Sequence, residues 1–155
     1  MITHTPTAAS LWFLGTAVWI RASADVGRNG LSVLESLAPQ GDSPPLHVHA
    51  REDELFHVVS GELLLEVGGE ELRLAEGETV LAPAGVAHTY RVESAEARWL
   101  VVTVGGEFER FVRELSRPAE GDGLPPRTGP PTAEQAEELA AVAATHGIEI
   151  VGPPL

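Results

Sequence analysis

The sequence predicts an all-β fold of the β-barrel or jelly-roll type, with a helical extension at its C-terminal end. About eight segments have the apolar composition or the alternating polarity of strands, and turn-forming residues separate them at short intervals. No helical pattern precedes Gly105, whereas helix start and stop signals occur near the C-terminus. With 155 residues and 43% hydrophobic content, the chain is long enough for one core and too short for two ordinary domains.

The first predicted strands are joined by a short turn. Residues 11–22 are rich in Trp, Val and Ile, which favours a single strand. Residues 26–30 supply the turn, because their Asn-Gly pair tolerates positive φ, and residues 31–37 form the return strand. Residues 1–10 have little pattern and are expected to be an arm in which His4 has no role.

A hairpin is predicted in the middle of the chain. Residues 62–67 alternate between polar and apolar side chains, which is the period of a half-buried strand. The Gly-Gly pair at 68–69 closes the hairpin, and residues 70–74 return. In the return strand, Leu72 and Leu74 are expected to point inward.

The next predicted strands frame a tight turn. Residues 79–82 lead into residues 83–85, Pro-Ala-Gly, where proline at the second turn position and glycine at the fourth suit a type I turn. This turn is expected to aim His88 into the barrel. Residues 98–104 then complete a further strand that bears Trp99 on one side.

The C-terminal third is predicted to be helical, with a linker. Residues 108–115 place apolar side chains at helical spacing, which indicates a short helix packed on the barrel. Residues 117–131 are rich in Pro and Gly and predict an extended linker, or alternatively a lid over the barrel mouth. The predicted barrel domain, with its N-terminal strands and a short closing helix, covers residues 1–116. Residues 117–131 are the linker, and residues 132–155 are the C-terminal helix and its tail.

A longer helix is predicted after the linker. Thr132 and Gln135 fit a capping box, and the helical segment runs to His146 before the stop signal Gly147. His146 in the last turn complements the negative end of the helix, so we interpret it as structural. Residues 148–152 then predict a short final strand.

Composition excludes several kinds of function. There are no cysteines, so disulfides, thiolate metal sites and cysteine nucleophiles are excluded, and metal ligation falls to His, Asp and Glu. The formal charge is -13 and the ten basic residues are scattered, which argues against nucleic acid as a partner. The apolar run at residues 11–20 is short and follows no basic residue, so we expect no membrane association and a cytoplasmic location.

One stretch, residues 41–61, has the pattern of a metal site. It reads Gly, five residues, His47, one residue, His49, four residues, Glu54, six residues, Gly. Two histidines at i and i+2 of an extended segment share a face, about 7 Å apart at their Cα atoms, so both imidazoles can converge on one ion. Glu54 begins the next predicted strand, residues 54–59, and can complete the set. The alternative is a pair of exposed loop histidines.

A second motif follows at a matching place. Gly77 is followed after five residues by Pro83, Ala84 and Gly85, and after two more residues by His88. The two stretches resemble the two motifs of the cupin superfamily, and their separation equals the short spacing typical of its bacterial members. One position departs from the pattern, because Val92 stands where the second motif often ends in Asn.

The resemblance implies a metal site inside a cupin β-barrel. Carried over position by position, it makes the metal ligands His47, His49, Glu54 and His88. Three neutral imidazoles and one carboxylate suit a divalent first-row ion and leave one or two positions for water, dioxygen or substrate. The ion is expected to be Fe, Ni, Mn, Co, Cu or Zn.

The resemblance also suggests an activity. A small single cupin with the first motif PPLHVHAREDELFHVVSG and a C-terminal helix is similar to bacterial quercetin 2,3-dioxygenase-like monocupins. This implies a dioxygenase-type oxidoreductase acting on a small oxygenated or aromatic, flavonol-like substrate. By the same resemblance, Glu54 would ligate the metal and also act as the catalytic base. N-terminal strands of related small cupins often pair with a neighbouring subunit, which implies a homodimer.

Two other functions remain open. One is a non-redox cyclase, isomerase or dehydratase of a polyketide-like substrate, in which the metal acts as a Lewis acid. The other is a small-molecule-binding or sensor cupin without turnover. His57 could serve as an acid or base, but its parity with Leu55 and Val59 places it opposite Glu54, so we interpret it as structural.

Overall fold

The computed structural model describes residues 9–155, so most of the expected N-terminal arm, including His4, lies outside the described residues. Residues 9–155 form twelve strands and two helices. The strands are β1 (Leu11–Phe13), β2 (Thr16–Ala22), β3 (Leu31–Pro39), β4 (Leu46–His49), β5 (Glu54–Ser60), β6 (Leu63–Val67), β7 (Glu70–Leu74), β8 (Thr79–Ala82), β9 (His88–Val92), β10 (Glu96–Val104), β11 (Ser116–Pro118) and β12 (Ile148–Gly152). The helices are α1 (Glu107–Leu115) and α2 (Ala133–Thr145).

The strands build two antiparallel sheets around one core. A seven-stranded sheet has the order β11-β1-β2-β3-β10-β5-β8, and a five-stranded sheet has the order β12-β4-β9-β6-β7. Alternate side chains of both sheets point inward because successive residues of a strand face opposite sides. The core therefore takes residues from both sheets, among them Val18, Leu34, Phe56, Leu63, Leu65, Val92 and Trp99. The predicted all-β barrel with a C-terminal helix is confirmed.

The N-terminal segment is a hairpin and not a single strand. β1 pairs with β2, and the reversal between them contains Leu14, whose φ of 52° is uncommon for a residue with a side chain. The prediction of one strand over residues 11–22 is wrong, because the apolar composition of this segment does not reveal the reversal. β1 pairs on its other side with β11, so both edges of β1 are paired within the chain.

The predicted hairpin of β6 and β7 is present, and its return strand is mostly exposed. Gly68 and Gly69 have φ values of 61° and 85°, as a tight primed turn requires. Leu74 is 3% exposed, and Leu72 lies opposite Leu65, which is 0% exposed, so both leucines are on the core-facing side as predicted, although Leu72 itself remains 45% exposed. β7 is an edge strand, and only its last residue is buried.

The turn before β9 has a different register from the predicted one. The amide of Val86 donates to the carbonyl of Pro83 at 3.1 Å, so Pro83 is the first residue of the turn and Gly85 is the third. Gly85 has a φ of 79°, which favours a type II turn over the predicted type I turn. The expected consequence is nevertheless observed, because His88 is 1% exposed and points into the barrel.

Helix α1 is capped from a distant loop. Its N-cap residue, Gly106, has no side chain. The carboxylate of Glu52, in the loop between β4 and β5, accepts the amides of Glu107 at 2.9 Å and Phe108 at 2.8 Å. A carboxylate at this position satisfies two amides that have no partner within the helix and complements the helix dipole. The predicted short helix is confirmed, and Glu52 fixes it to the loop between His49 and Glu54.

Helix α2 and strand β12 close one side of the barrel. The capping box of Thr132 and Gln135 is present in full, so the helix begins as predicted. The predicted final strand, β12, pairs with β4. Ala143 of α2 and Ile148 of β12 are both buried in the main core. Neither α1 nor α2 is long and apolar enough to cross a membrane.

The linker packs on the outer face of the seven-stranded sheet. Ala119 and Leu124 contact a small buried cluster that includes Trp12. The indole Nε1 of Trp12 donates to the carbonyl of Gly123 at 2.9 Å, and the guanidinium of Arg117 lies 4.6 Å from the indole ring centre. No residue from 117 to 131 borders either cavity described below, so these contacts do not support the alternative of a lid.

Candidate metal centre

The four sequence-predicted ligands come from three neighbouring strands. His47 and His49 lie on β4, His88 begins the adjacent β9 directly opposite His47, and Glu54 begins β5 of the other sheet. The structure brings all four together, with one potential ligand atom of each within 4.8 Å of every other. His49, Glu54 and His88 are buried, and His47 is partly buried. The cluster therefore lies between the two sheets.

The carboxylate of Glu54 is at the centre of the cluster. Its Oε2 atom lies 2.8 Å from Nε2 of His88, 2.9 Å from Nε2 of His49 and 4.0 Å from Nε2 of His47. All three imidazoles thus direct the same nitrogen, Nε2, toward one carboxylate oxygen. This is the arrangement needed for three nitrogens and one oxygen to share an ion after small side-chain adjustments.

Backbone carbonyls orient two of the imidazoles. Nδ1 of His47 lies 2.7 Å from the carbonyl of Pro45, and Nδ1 of His88 lies 3.0 Å from the carbonyl of Val86. Because a carbonyl only accepts, Nδ1 carries a proton in both rings. The neutral ring of His47 therefore has its Nε2 lone pair toward the cluster. Nε2 of His88 also donates, to Oε2 of Glu54 at 2.8 Å, and must release that proton before it can ligate a metal. Such outer hydrogen bonds typically orient histidine ligands of metals.

His49 supplies a direct test of whether the cluster fits a metal ion. Its ring is 2% exposed, and neither of its nitrogens has a hydrogen-bond partner. Nε2 is close to Glu54, but the geometry is not that of a hydrogen bond. An imidazole nitrogen left unpaired in the interior is unfavourable, and a cation among the four residues would satisfy Nε2. The donor set and this unpaired nitrogen both fit a divalent transition metal.

Burial and mutual charge set the protonation of the cluster. Burial lowers the pKa of His47 to about 4, so this imidazole is neutral near pH 7. Burial alone would raise the pKa of Glu54, but His49 and His88 outweigh it and hold that pKa well below its usual value. Burial likewise opposes protonation of His88, and its contact with Glu54 outweighs burial and raises the pKa. A neutral His47 and an ionised Glu54 are the forms that bind metals.

An apolar cavity of about 90 Å³ borders the cluster. Its polar wall includes His47, His49 and Glu54, and its remaining walls are mostly apolar side chains from β1, α1, α2 and β12, such as Phe13, Phe108, Leu139 and Ile148. Leu14, which is 57% exposed, also borders the cavity, so the cavity reaches solvent beside the β1–β2 turn. The ring of Phe108 lies 5.4 Å from that of His49, so α1 contacts both the cavity and a candidate ligand.

A second, smaller cavity of about 40 Å³ lies deeper in the barrel, and Glu54 borders both. Tyr90 also borders both, and its hydroxyl donates to Asp42 at 3.2 Å. Burial, with Asp42 nearby, raises the pKa of Tyr90 well above its usual value, so the hydroxyl stays protonated. Burial also raises the pKa of Asp42, although Tyr90 and Thr16 donate to it.

Sequence analysis assigned no role at the site to Tyr90, Asp42 or Glu52. The alternation along β9 places Tyr90 on the face of His88, and this parity was the available signal. Asp42 and Glu52 lie in polar loop segments, where nothing local distinguishes a buried carboxylate from a solvated one. The structural interpretation of His57 agrees with its contacts, because its Nδ1 lies 2.8 Å from Oγ1 of Thr79 and it faces away from Glu54.

Comparisons with known proteins agree with the observed fold and with the spacing of the two sequence motifs. Residues 33–103 match the family model described as the cupin domain. A solved structure of TT1209 from Thermus thermophilus is 32% identical, with a TM-score of 0.52, and the match covers 58% of this chain and 83% of that one. The chain belongs to the cupin family. The predicted membership is therefore confirmed, and the matched region contains all four residues of the cluster.

Other relatives of this cupin have named activities. Quercetin 2,3-dioxygenase of Bacillus subtilis (strain 168) is 34% identical over 93 residues, which are 60% of this chain and 28% of that protein. The polyketide cyclase RemF of Streptomyces resistomycificus is 18% identical with a TM-score of 0.58, over 67% of this chain and 80% of that one, a likeness of fold alone. The chain spans less than two thirds of the length of the curated relatives it matches.

Proposed function

We propose that this cupin is a metal-dependent oxidoreductase of the dioxygenase type that acts on a small oxygenated or aromatic, flavonol-like substrate. The observation that carries the proposal is the convergence of three Nε2 atoms and one carboxylate oxygen at the polar end of an apolar cavity. The proposed ligands of one divalent transition metal are His47, His49, Glu54 and His88. Similarity to the Bacillus subtilis quercetin 2,3-dioxygenase supports the choice of reaction class.

The proposed ligands have separate tasks. His47 and His88 are oriented by backbone carbonyls, and His49 has a nitrogen that a cation would satisfy. A bound divalent ion would supply Lewis acidity toward substrate oxygens and, when redox-active, electron transfer. The protein contributes the fixed donors and the apolar walls that keep water from the reacting atoms.

Glu54 is proposed as the catalytic base as well as a ligand. Its carboxylate is ionised near pH 7, because its pKa is well below the usual value despite burial. A carboxylate with a low pKa is a weak base, so it accepts a proton only from a relatively acidic group.

The cavity limits how the substrate binds. Its volume of about 90 Å³ is smaller than the roughly 150 Å³ of an apolar cavity that holds benzene. We therefore propose that only the oxygen-bearing end of the substrate enters and that the rest extends toward solvent beside Leu14. Pro44, Pro45 and Leu139 border the same cavity and provide an apolar surface for a planar ring.

Metal analysis and oxygen uptake on the same preparations test the proposal. Protein purified without added metal is analysed for bound elements, and oxygen consumption is followed with a panel of flavonols and 1,3-dicarbonyl compounds. Consumption that depends on substrate and is absent from His49→Ala is the expected result. Turnover of a panel compound without oxygen uptake would favour a non-redox cyclase, isomerase or dehydratase. Saturable binding without turnover would favour a binding cupin, and either result would overturn the proposed reaction.

A further inference from the structure

The smaller cavity of about 40 Å³, which we call the deep cavity, has polar side chains that the proposed function does not use. They come from three neighbouring strands, with Thr16 on β2, Ser36 on β3 and Trp99 on β10. Ser36 and Trp99 are directly opposed in the sheet, so their Cβ atoms are about 5 Å apart. All three residues are buried and border the same small space.

The indole N–H of Trp99 has no hydrogen-bond partner in the described part of the chain. Trp99 is 1% exposed, so bulk water does not reach this group. An indole nitrogen only donates, and a donor left unpaired in the interior is unfavourable. Trp12 shows the usual arrangement, because its Nε1 donates to the carbonyl of Gly123 at 2.9 Å. The unpaired donor of Trp99 beside a cavity therefore indicates a ligand that accepts a hydrogen bond.

Water fits both the size and the chemistry of the deep cavity. One water molecule takes up about 30 Å³ in the liquid, and a buried one makes about three hydrogen bonds. Trp99 can donate to it, and the hydroxyl oxygens of Thr16 and Ser36 can accept from it. Thr16 suits this task because its own proton is donated to Asp42 at 3.4 Å, which leaves its oxygen as an acceptor.

The deep cavity also reaches the candidate metal centre, because Glu54 borders it. The contacts of Glu54 with the three imidazoles all use Oε2. Its other oxygen, Oε1, is therefore the one left for a donor from another direction. An ionised carboxylate accepts hydrogen bonds through both oxygens. Water in the deep cavity can donate to Oε1 and so keep Oε2 turned toward the imidazoles.

We propose that the deep cavity is a water-binding site that holds Glu54 in its ligating orientation. Trp99, Ser36 and Thr16 fix the water, and the water donates to the carboxylate. The three residues are thus positioning residues that act on Glu54 through water. Hydrogen-bond partners of this kind typically contribute 10–100-fold to metal affinity. This effect on the metal rests on the proposed function, whereas the water site itself does not.

Magnetisation transfer between water and the indole N–H protons tests the water site in metal-free protein. The chain has three tryptophans, so three indole signals are expected, and sequence-specific assignment identifies that of Trp99. This signal should show NOE and ROE cross-peaks to water of opposite sign, which indicate bound water and not proton exchange. Trp12 is the matched control, since its N–H donates to a carbonyl, and it should show no such pair. The absence of this pair from Trp99, or xenon in the deep cavity of pressurised crystals, would overturn the proposal, because an apolar gas needs a dry cavity.

Competition between the protein and a chelator for zinc tests the positioning role. Ser36→Ala removes one partner of the water with little change in volume, and it should bind zinc about 10-fold more weakly than the wild type. Val101→Ala is the matched control, because it enlarges the same cavity and keeps every polar group, and its zinc affinity should match that of the wild type. Equal losses from the two variants would overturn the positioning role. A wild type that binds no zinc but retains the Trp99 cross-peaks would contradict the proposed metal centre and support the water site.

Discussion

Replacing Glu52 by alanine should destabilise the protein more than any ordinary surface substitution. Glu52 is 2% exposed, and its carboxylate accepts the amides of Glu107 and Phe108 at the start of α1. Loss of a helix cap costs about 0.5–2 kcal/mol, and loss of a hydrogen bond to a charged group costs about 1.5–3 kcal/mol. In Glu52→Ala, water can reach part of the uncapped helix end and replace some of the lost hydrogen bonding. We therefore expect the substitution to lower the free energy of unfolding by about 2–4 kcal/mol in total.

Two companion variants separate the cap from a general effect of removing charge. Glu52→Gln keeps the shape and one acceptor oxygen but loses the charge, so about half of the destabilisation is expected. Glu76→Ala removes an exposed carboxylate from the turn before β8 and should change stability by less than about 0.5 kcal/mol. Urea unfolding of metal-free protein measures all three, because metal binding would otherwise add its own stabilisation.

The same variants report on the candidate site. Phe108 of α1 lies against His49 and borders the cavity. If loss of the cap loosens α1, the Glu52→Ala variant should therefore also bind metal more weakly than the wild type. Equal unfolding free energies for Glu52→Ala and Glu76→Ala would contradict the capping role of Glu52, since the two amides would then be satisfied without its carboxylate.

Three further predictions concern single residues. His49→Ala should lose most bound metal yet unfold cooperatively, because a barrel of this size has its own core; metal analysis and thermal unfolding check both. Glu54→Gln should lower the metal content modestly, but it should lower turnover by about 100-fold or more, which is the usual effect of losing a general base. Metal content and turnover are measured on the same preparation. Glu109→Gln should be less stable than wild type near pH 7, with the difference shrinking as pH falls below about 4, because a lowered carboxylate pKa stabilises the fold only while the group is ionised.

The basis of the Glu109 prediction is a buried carboxylate held by donors. Burial opposes its ionisation, but the amide of Ala24 at 2.7 Å, the hydroxyl of Ser23 at 2.8 Å and the guanidinium of Arg113 outweigh burial and lower its pKa. A difference that grows on acidification would contradict this sign. For Glu54, turnover per bound metal within a few-fold of wild type would exclude the base role. For His49, loss of all cooperative unfolding in the metal-free protein would make the metal structural.

The candidate site was predictable because its signals are local. His47 and His49 share a face through the two-residue period of a strand, and Glu54 and His88 stand at fixed distances along the chain. The capping box of Thr132 and Gln135 is equally local, since all its partners lie within one turn of the helix.

The features that sequence reasoning missed depend on distant contacts. The reversal at Leu14 divides a uniformly apolar segment, and the exposure of Leu72 follows from the edge position of β7. Glu52 caps a helix more than fifty residues further along the chain. No pattern around these residues identifies their partners, because the tertiary fold brings those partners into place.

X-ray absorption at the metal edge, with elemental analysis of the same sample, tests whether the four residues hold one ion. We expect one divalent transition metal per chain, with three imidazole nitrogens and one carboxylate oxygen among its neighbours at about 2.0–2.2 Å. Protein that retains less than a stoichiometric metal after reconstitution, or a metal whose neighbours include no imidazole, would contradict it.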